Sequence, residues 1–204
     1  MKINAVISKP TVKIKYADKS AILTTVIILL GIIIGSIIFI LTSDSITNSL
    51  FEYFLNFSMD FSNKNKPEIF SGIILSHIPY YIMMLILSTS VIGTPGVITL
   101  TFIKSMGLGL ITSYIYSEFA LKGIEYCLLI LFPGKFILIF AMILLTQNCY
   151  LSSKTIQESI NKEGRIVPLK NFTLRSLFIF LLIIISSVVD FLTLISFSSL
   201  SNFN

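Results

Sequence analysis

Five apolar stretches, each long enough to cross a lipid bilayer as one helix, constrain this chain more than any other feature. They run over about Ala21 to Leu41, Ser71 to Ile92, Val97 to Phe119, Ile124 to Tyr150 and Leu174 to Leu200. A hydrocarbon core of about 30 Å needs about 20 helical residues. With no water at that depth, each backbone amide and carbonyl must be satisfied within its own segment, which favours helix. Composition agrees. Of 204 residues, 54% are apolar and 12% are charged, against about 25% charged in an ordinary soluble domain. Too few charges remain to cover a soluble surface, so a soluble enzyme, a secreted disulfide scaffold and a disordered chain are excluded. The sequence predicts an all-α integral membrane helical bundle with five transmembrane helices. Residues 1–20 form a basic arm, and 21–204 form a single five-span domain.

The distribution of Lys and Arg sets the expected orientation. Lys2, Lys9, Lys13, Lys15 and Lys19 precede the first span, and Lys154, Lys162, Arg165, Lys170 and Arg175 lie between the fourth and fifth. Five spans put both regions on one side, which then holds ten of the fifteen basic residues. The other side holds Lys64, Lys66 and Lys122, with six acids. The amino terminus is therefore expected to be cytoplasmic and the carboxy terminus external, in the cell membrane. The first apolar run is longer than the 7–15 residues of a signal h-region, which makes it a retained anchor. The arm's charge fits orientation and attraction to anionic lipid, with no nucleic acid as partner.

Gly93-Thr94-Pro95-Gly96 reads as the tight turn between the second and third spans. Leu121-Lys122-Gly123 separates the third from the fourth. In the loop from Thr42 to Phe70, Ile46, Leu50, Phe54 and Phe57 recur at helical spacing, as in a helix lying on the membrane surface. That helix either docks an external partner or simply links two spans. Ser152 to Lys162 extends the fourth span by about three helical turns, before Gly164 and Pro168 stop it. No phosphate-binding glycine loop is present. Cys127 and Cys149 fall at opposite ends of one predicted helix, too far apart to bridge. A lone histidine rules out multi-histidine metal or haem sites, and no cofactor is implied.

Ionisable residues at membrane depth are costly and are the first candidates for function. With the fourth span centred near Ile137, Lys135 lies about 3 Å to the external side. With the fifth centred near Ser187, Asp190 lies about 4–5 Å to the same side. The two are expected to pair if their helices are neighbours. Such a pair either locks two helices together or relays a proton or ion. Lys104 sits about 6 Å to the cytoplasmic side of its span centre, where its stem can snorkel or serve an interior role. His77 falls in the external half of the second span, as a hydrogen-bonding group between helices. Pro133-Gly134 lies near the middle of the fourth span, where proline loses an amide and clashes with the carbonyl four residues back. A kink or broken helix is expected, and broken helices line transporter sites. Gly31 and Gly35 form G-x-x-x-G in the first span, and Gly107 and Gly109 lie in the third. Both allow close helix packing, and the first also permits a homo-oligomer.

From Gly93 onward the chain resembles the stage II sporulation protein M family. The Pro95 turn is followed by an apolar run and then Lys104-Ser105-Met106-Gly107-Leu108-Gly109, similar to that family's lysine and paired-glycine pattern. Phe119-Ala120-Leu121-Lys122-Gly123 looks like its loop, and Pro133 stands where its next helix carries a proline. Lys135 and Ser76-His77 occupy positions where the family pattern has asparagine, so the resemblance is that of a divergent member. The resemblance implies a multi-pass scaffold acting with stage II sporulation proteins D and P, which remodel septal peptidoglycan during forespore engulfment. It implies no catalytic residue.

Two functions follow as expectations. The first is a non-enzymatic membrane scaffold for membrane or cell-wall remodelling proteins. The second is a small transporter or permease subunit using the broken fourth span with Lys135 and Asp190. An intramembrane enzyme lacks its residues: no paired membrane aspartates, serine–lysine pair or histidine–glutamate motif is present.

Overall fold

The computed structural model describes residues 11–42, 66–90, 92–128, 132–161 and 169–198. The amphipathic stretch expected around Ile46 to Phe57 lies outside them. The described residues form five helices: α1 (Thr11–Leu41), α2 (Lys66–Ser88), α3 (Gly93–Tyr126), α4 (Phe132–Asn161) and α5 (Leu169–Ser198). Each contains a segment long and apolar enough to cross a membrane: Ser20–Leu41, Pro67–Ser88, Gly93–Ser117, Phe132–Gln157 and Phe172–Ile195. α3 has 34 residues, about 50 Å of helix, so it continues well past its membrane window. α4 likewise runs on to Asn161.

Side-chain contacts fix the directions. Tyr80 meets Thr101 and Lys104 meets Ser76, so α2 and α3 are antiparallel. Thr101 meets Thr146 and Thr94 meets Ser153, so α3 and α4 are antiparallel. Lys135 meets Asp190 and Asn148 meets Phe172, so α4 and α5 are antiparallel. α1 and α3 are parallel: Gly31 faces Phe102 and Ser105, Gly35 faces Met106, and Phe39 packs edge-on against Tyr114. One end of the bundle, the near end, holds the starts of α1, α3 and α5. The far end holds the starts of α2 and α4.

α4 is the central helix and touches all four others, while α1, α3, α2 and α5 succeed one another around it. Leu138, Ala141, Met142, Leu145 and Cys149 of α4 are buried against Ile28, Tyr80, Met84, Val97, Ile179 and Ile183. Their outward counterparts, such as Phe136 and Phe140, are exposed as lipid requires. Lipid is as apolar as leucine, so burial alone does not hold such helices together; close packing and polar contacts do.

The α1–α3 seam shows this. Gly31 and Gly35 of α1 and Gly107 and Gly109 of α3 are all buried. A Cβ on Gly35 would overlap the Met106 carbonyl, and one on Gly109 would overlap the Ile32 carbonyl. The Ser36 hydroxyl donates to the carbonyls of Ile32, at 3.0 Å, and Gly109, at 3.4 Å. The G-x-x-x-G of α1 is thus used within the chain.

The helix boundaries differ from those expected. The turn between α2 and α3 falls at 89–92, closed by bonds such as Ser90 N–H to the Leu87 carbonyl at 3.1 Å. Gly93-Thr94-Pro95-Gly96 opens α3 rather than forming the turn. α3 carries through Lys122-Gly123 to Tyr126, and α4 starts at Phe132, eight residues after the expected Ile124. Cys127 and Cys149 consequently lie on either side of a helix boundary, and both are free thiols.

Candidate functional site

The first turn of α4 builds one of two polar sites. Pro133 is its second residue and not a mid-span break, so the expected kink and broken fourth span are corrected. At that position a missing amide costs nothing and the fixed φ suits a helix start. Gly134 lets α5 come close: Asp190 Oδ1 occupies the space a Cβ would need. The Ser186 hydroxyl donates to the Gly134 carbonyl at 2.8 Å. One residue on, Lys135 Nζ donates to Asp190 Oδ2 at 2.9 Å. The Lys135 side chain is 24% exposed and that of Asp190 is 6%. The carboxylate therefore receives a cation and lies at a helix amino terminus, where the dipole favours negative charge.

Depth also changes. α4's membrane segment, Phe132–Gln157, is centred between Leu144 and Leu145, so Lys135 lies about 14 Å from the middle, towards the far end. The segment of α5, Phe172–Ile195, is centred near Ile183, which puts Asp190 about 10 Å out on the same side. Measured along the two helices, the pair sits towards the far ends of both apolar segments and away from their centres.

Lys104 and His77 take the deep positions instead. Gly93–Ser117 is centred on Ser105 and Pro67–Ser88 near His77, so both residues lie at the middle of their spans. Lys104 Nζ donates to the Ser76 carbonyl at 3.2 Å and stands 5.9 Å from the centre of the Tyr80 ring, within cation–π range. Tyr80 pairs with Thr101 and Ser76 with Lys104, so the amine stays level with its own helix position. It does not snorkel to either end. Among the described residues no carboxylate lies within salt-bridge distance of it. An unneutralised lysine at this depth costs about 2.5–3.5 kcal/mol on insertion scales. His77, on the buried face of α2, is 4% exposed, and neither ring nitrogen has a hydrogen-bond partner.

Tyr80 and Tyr81, like His77, are expected in the external half of the second span, but Thr101, Thr146, Ser176 and Pro79 carry no sequence signal that singles them out. Thr101 Oγ1 and Thr146 Oγ1 are 2.8 Å apart in the centre of the bundle, with the Tyr80 hydroxyl 3.5 Å from Thr101. The Tyr81 hydroxyl donates to the Ser176 carbonyl at 3.0 Å. Pro79 lies inside α2 and removes the amide that would bond the Leu75 carbonyl, one turn from where Lys104 meets the backbone. The available signal was faint: isolated Ser, Thr and Tyr within spans, with nothing to say which face each occupies.

These groups fix helix register and close approach, and among the described residues no carboxylate stands within salt-bridge distance of Lys104. Among the described residues no three His, Cys, Asp or Glu side chains gather as metal ligands would. A family model for stage II sporulation protein M matches residues 24–197. No curated protein and no solved structure matches. The match covers all five apolar helices except the first turns of α1 and the last residue of α5. This multi-pass membrane protein belongs to the stage II sporulation protein M family.

Proposed function

We propose that the protein is a non-enzymatic membrane scaffold that supports septal peptidoglycan remodelling and forespore engulfment by holding partner proteins in the cell membrane. The carrying observation is family membership over residues 24–197. The bundle's physical character supports the reading. Many of its polar groups join helices: Lys135 to Asp190, Thr101 to Thr146, Tyr81 to Ser176. Glycines seal the α1–α3 seam. A rigid platform of this kind suits a protein whose task is to position others. In this reading the near end, following the basic arm, is cytoplasmic. The partners are membrane or cell-wall remodelling proteins resembling stage II sporulation proteins D and P. α4 runs unbroken through the bundle centre, so the feature that favoured a transporter is gone.

The test is deletion of the gene in its host, if that host forms spores, with a membrane dye to follow engulfment. Stalled engulfment, restored by re-expressing the full chain, is the expected outcome. Normal engulfment in a strain with no second family member refutes the proposal.

A further inference from the structure

We propose that Lys104 docks a transmembrane helix of a different protein, one that carries an aspartate or glutamate at the middle of its span. The proposal rests on the scaffold reading and gives the partner a chemistry.

Lys104 is half-buried at mid-depth in the groove between α2 and α3, with its amine held level by the Ser76 carbonyl. One carbonyl and one aromatic face solvate the ammonium without neutralising it. A carboxylate would complete the set, since an ammonium has three donors and only one is used here. The groove is open to a helix. Ser76 and Pro79, small and exposed, line it on α2, flanked by Leu75, 57% exposed, and Ile103, 50% exposed. Short side chains beside the cation let a second backbone approach, and the apolar flanks suit a spanning helix.

Two other sources of negative charge fit badly. Lipid phosphates lie beyond the hydrocarbon edge, about 15 Å from the midplane, out of reach of a lysine that is not snorkelling. A second copy of this chain brings, within its described membrane segments, only Glu68, in the first turn of α2 at the far end, and Asp190, held by Lys135 towards the same end, so neither carboxylate stands at the level of Lys104. The complement is therefore a carboxylate on another protein's helix.

The probe is a synthetic leucine–alanine transmembrane helix with one central glutamate. Its association with the full chain is measured by energy transfer in phosphatidylcholine vesicles. The glutamate peptide should bind about tenfold more tightly than its glutamine counterpart. Moving the glutamate to the peptide's end should abolish that preference. Lys104→Arg should keep it and Lys104→Met should lose it. Equal binding of the glutamate and glutamine peptides overturns the proposal. So does a preference that survives Lys104→Met in a folded variant. Self-association of the chain that depends on Lys104 reassigns the site to a second copy. Loss of the preference on adding phosphatidylglycerol reassigns it to lipid. The comparison between peptides uses the unmodified chain, so equal binding overturns the proposal even if Lys104→Met fails to fold, and Lys104→Gln then serves as the second variant that should lose the preference. Normal engulfment in the deletion strain would refute the scaffold reading while leaving the peptide preference intact.

Discussion

Removing either partner of the Lys135–Asp190 pair should destabilise the bundle, but by unequal amounts. Lys135→Met strands a carboxylate that is 6% exposed, short, and pressed against Gly134 about 10 Å along the helix from its segment's centre. It cannot reach water without moving α5. Breaking a buried pair in this way costs about 3–5 kcal/mol. Asp190→Asn strands an ammonium that is 24% exposed and about 14 Å along the helix from its segment's centre, towards the far end. Its stem can turn to the headgroups, and a cation near a membrane interface costs about 1 kcal/mol or less. Asparagine also keeps the shape that Gly134 accommodates. The double variant has no stranded charge and should lie within about 1 kcal/mol of the parent. The cycle then gives a coupling of about 3–5 kcal/mol.

The assay is reversible unfolding by sodium dodecyl sulfate in mixed micelles, followed by helical circular dichroism, for the parent, both single variants and the double. The refuting results are equal costs for the two single variants, a larger cost for Asp190→Asn, or additive costs. Any of these would mean that depth and exposure do not control the penalty as argued.

Other substitutions probe the remaining contacts by the same unfolding assay. Gly134→Ala puts a methyl where Asp190 Oδ1 stands and should cost about 1–3 kcal/mol, with a similar loss when the isosteric Asp190→Asn is already present and little further loss when Asp190→Ala is. Gly35→Leu must push α1 away from the Met106 carbonyl and should cost at least about 1–3 kcal/mol. The same change at the exposed Ile37 should be nearly neutral. Thr101→Val removes the contacts to Thr146 and Tyr80 while preserving shape, for a loss of about 0.6–1.7 kcal/mol. A neutral result would show that the central hydroxyls find other partners.

The five spans were legible because apolar length is a coarse signal that lipid enforces. Their frames were not. From Cys127 to Phe132 the sequence is Cys-Leu-Leu-Ile-Leu-Phe, with no polar residue to mark a boundary. A proline after such a run fits a mid-helix kink or a first turn equally well. Taking it as a kink displaced the fourth span by eight residues at its start, and the depth ranking inverted. Lys135 and Asp190 moved out towards the segment ends, while Lys104 and His77 moved in to the middle. The two opposite charges still meet, because both shifts are towards the same end of the bundle.

The glycine pattern has a different limit. Spacing tells how closely a helix face can be approached, but not by what. Gly31 and Gly35 suit a dimer or an internal neighbour alike. In the fold they face Ser105 and Met106, and Gly109 faces Ile32 in return. That face of α1 is covered by α3 and is closed to a partner unless the bundle opens. A scaffold must therefore recruit through some other part of its surface. Among the described residues, most of the lipid-facing surface is Leu, Ile, Val and Phe, which gives lipid and protein little to distinguish them. Lys104, at mid-depth and with no carboxylate within salt-bridge distance among the described residues, is the position where a partner would gain what lipid cannot supply.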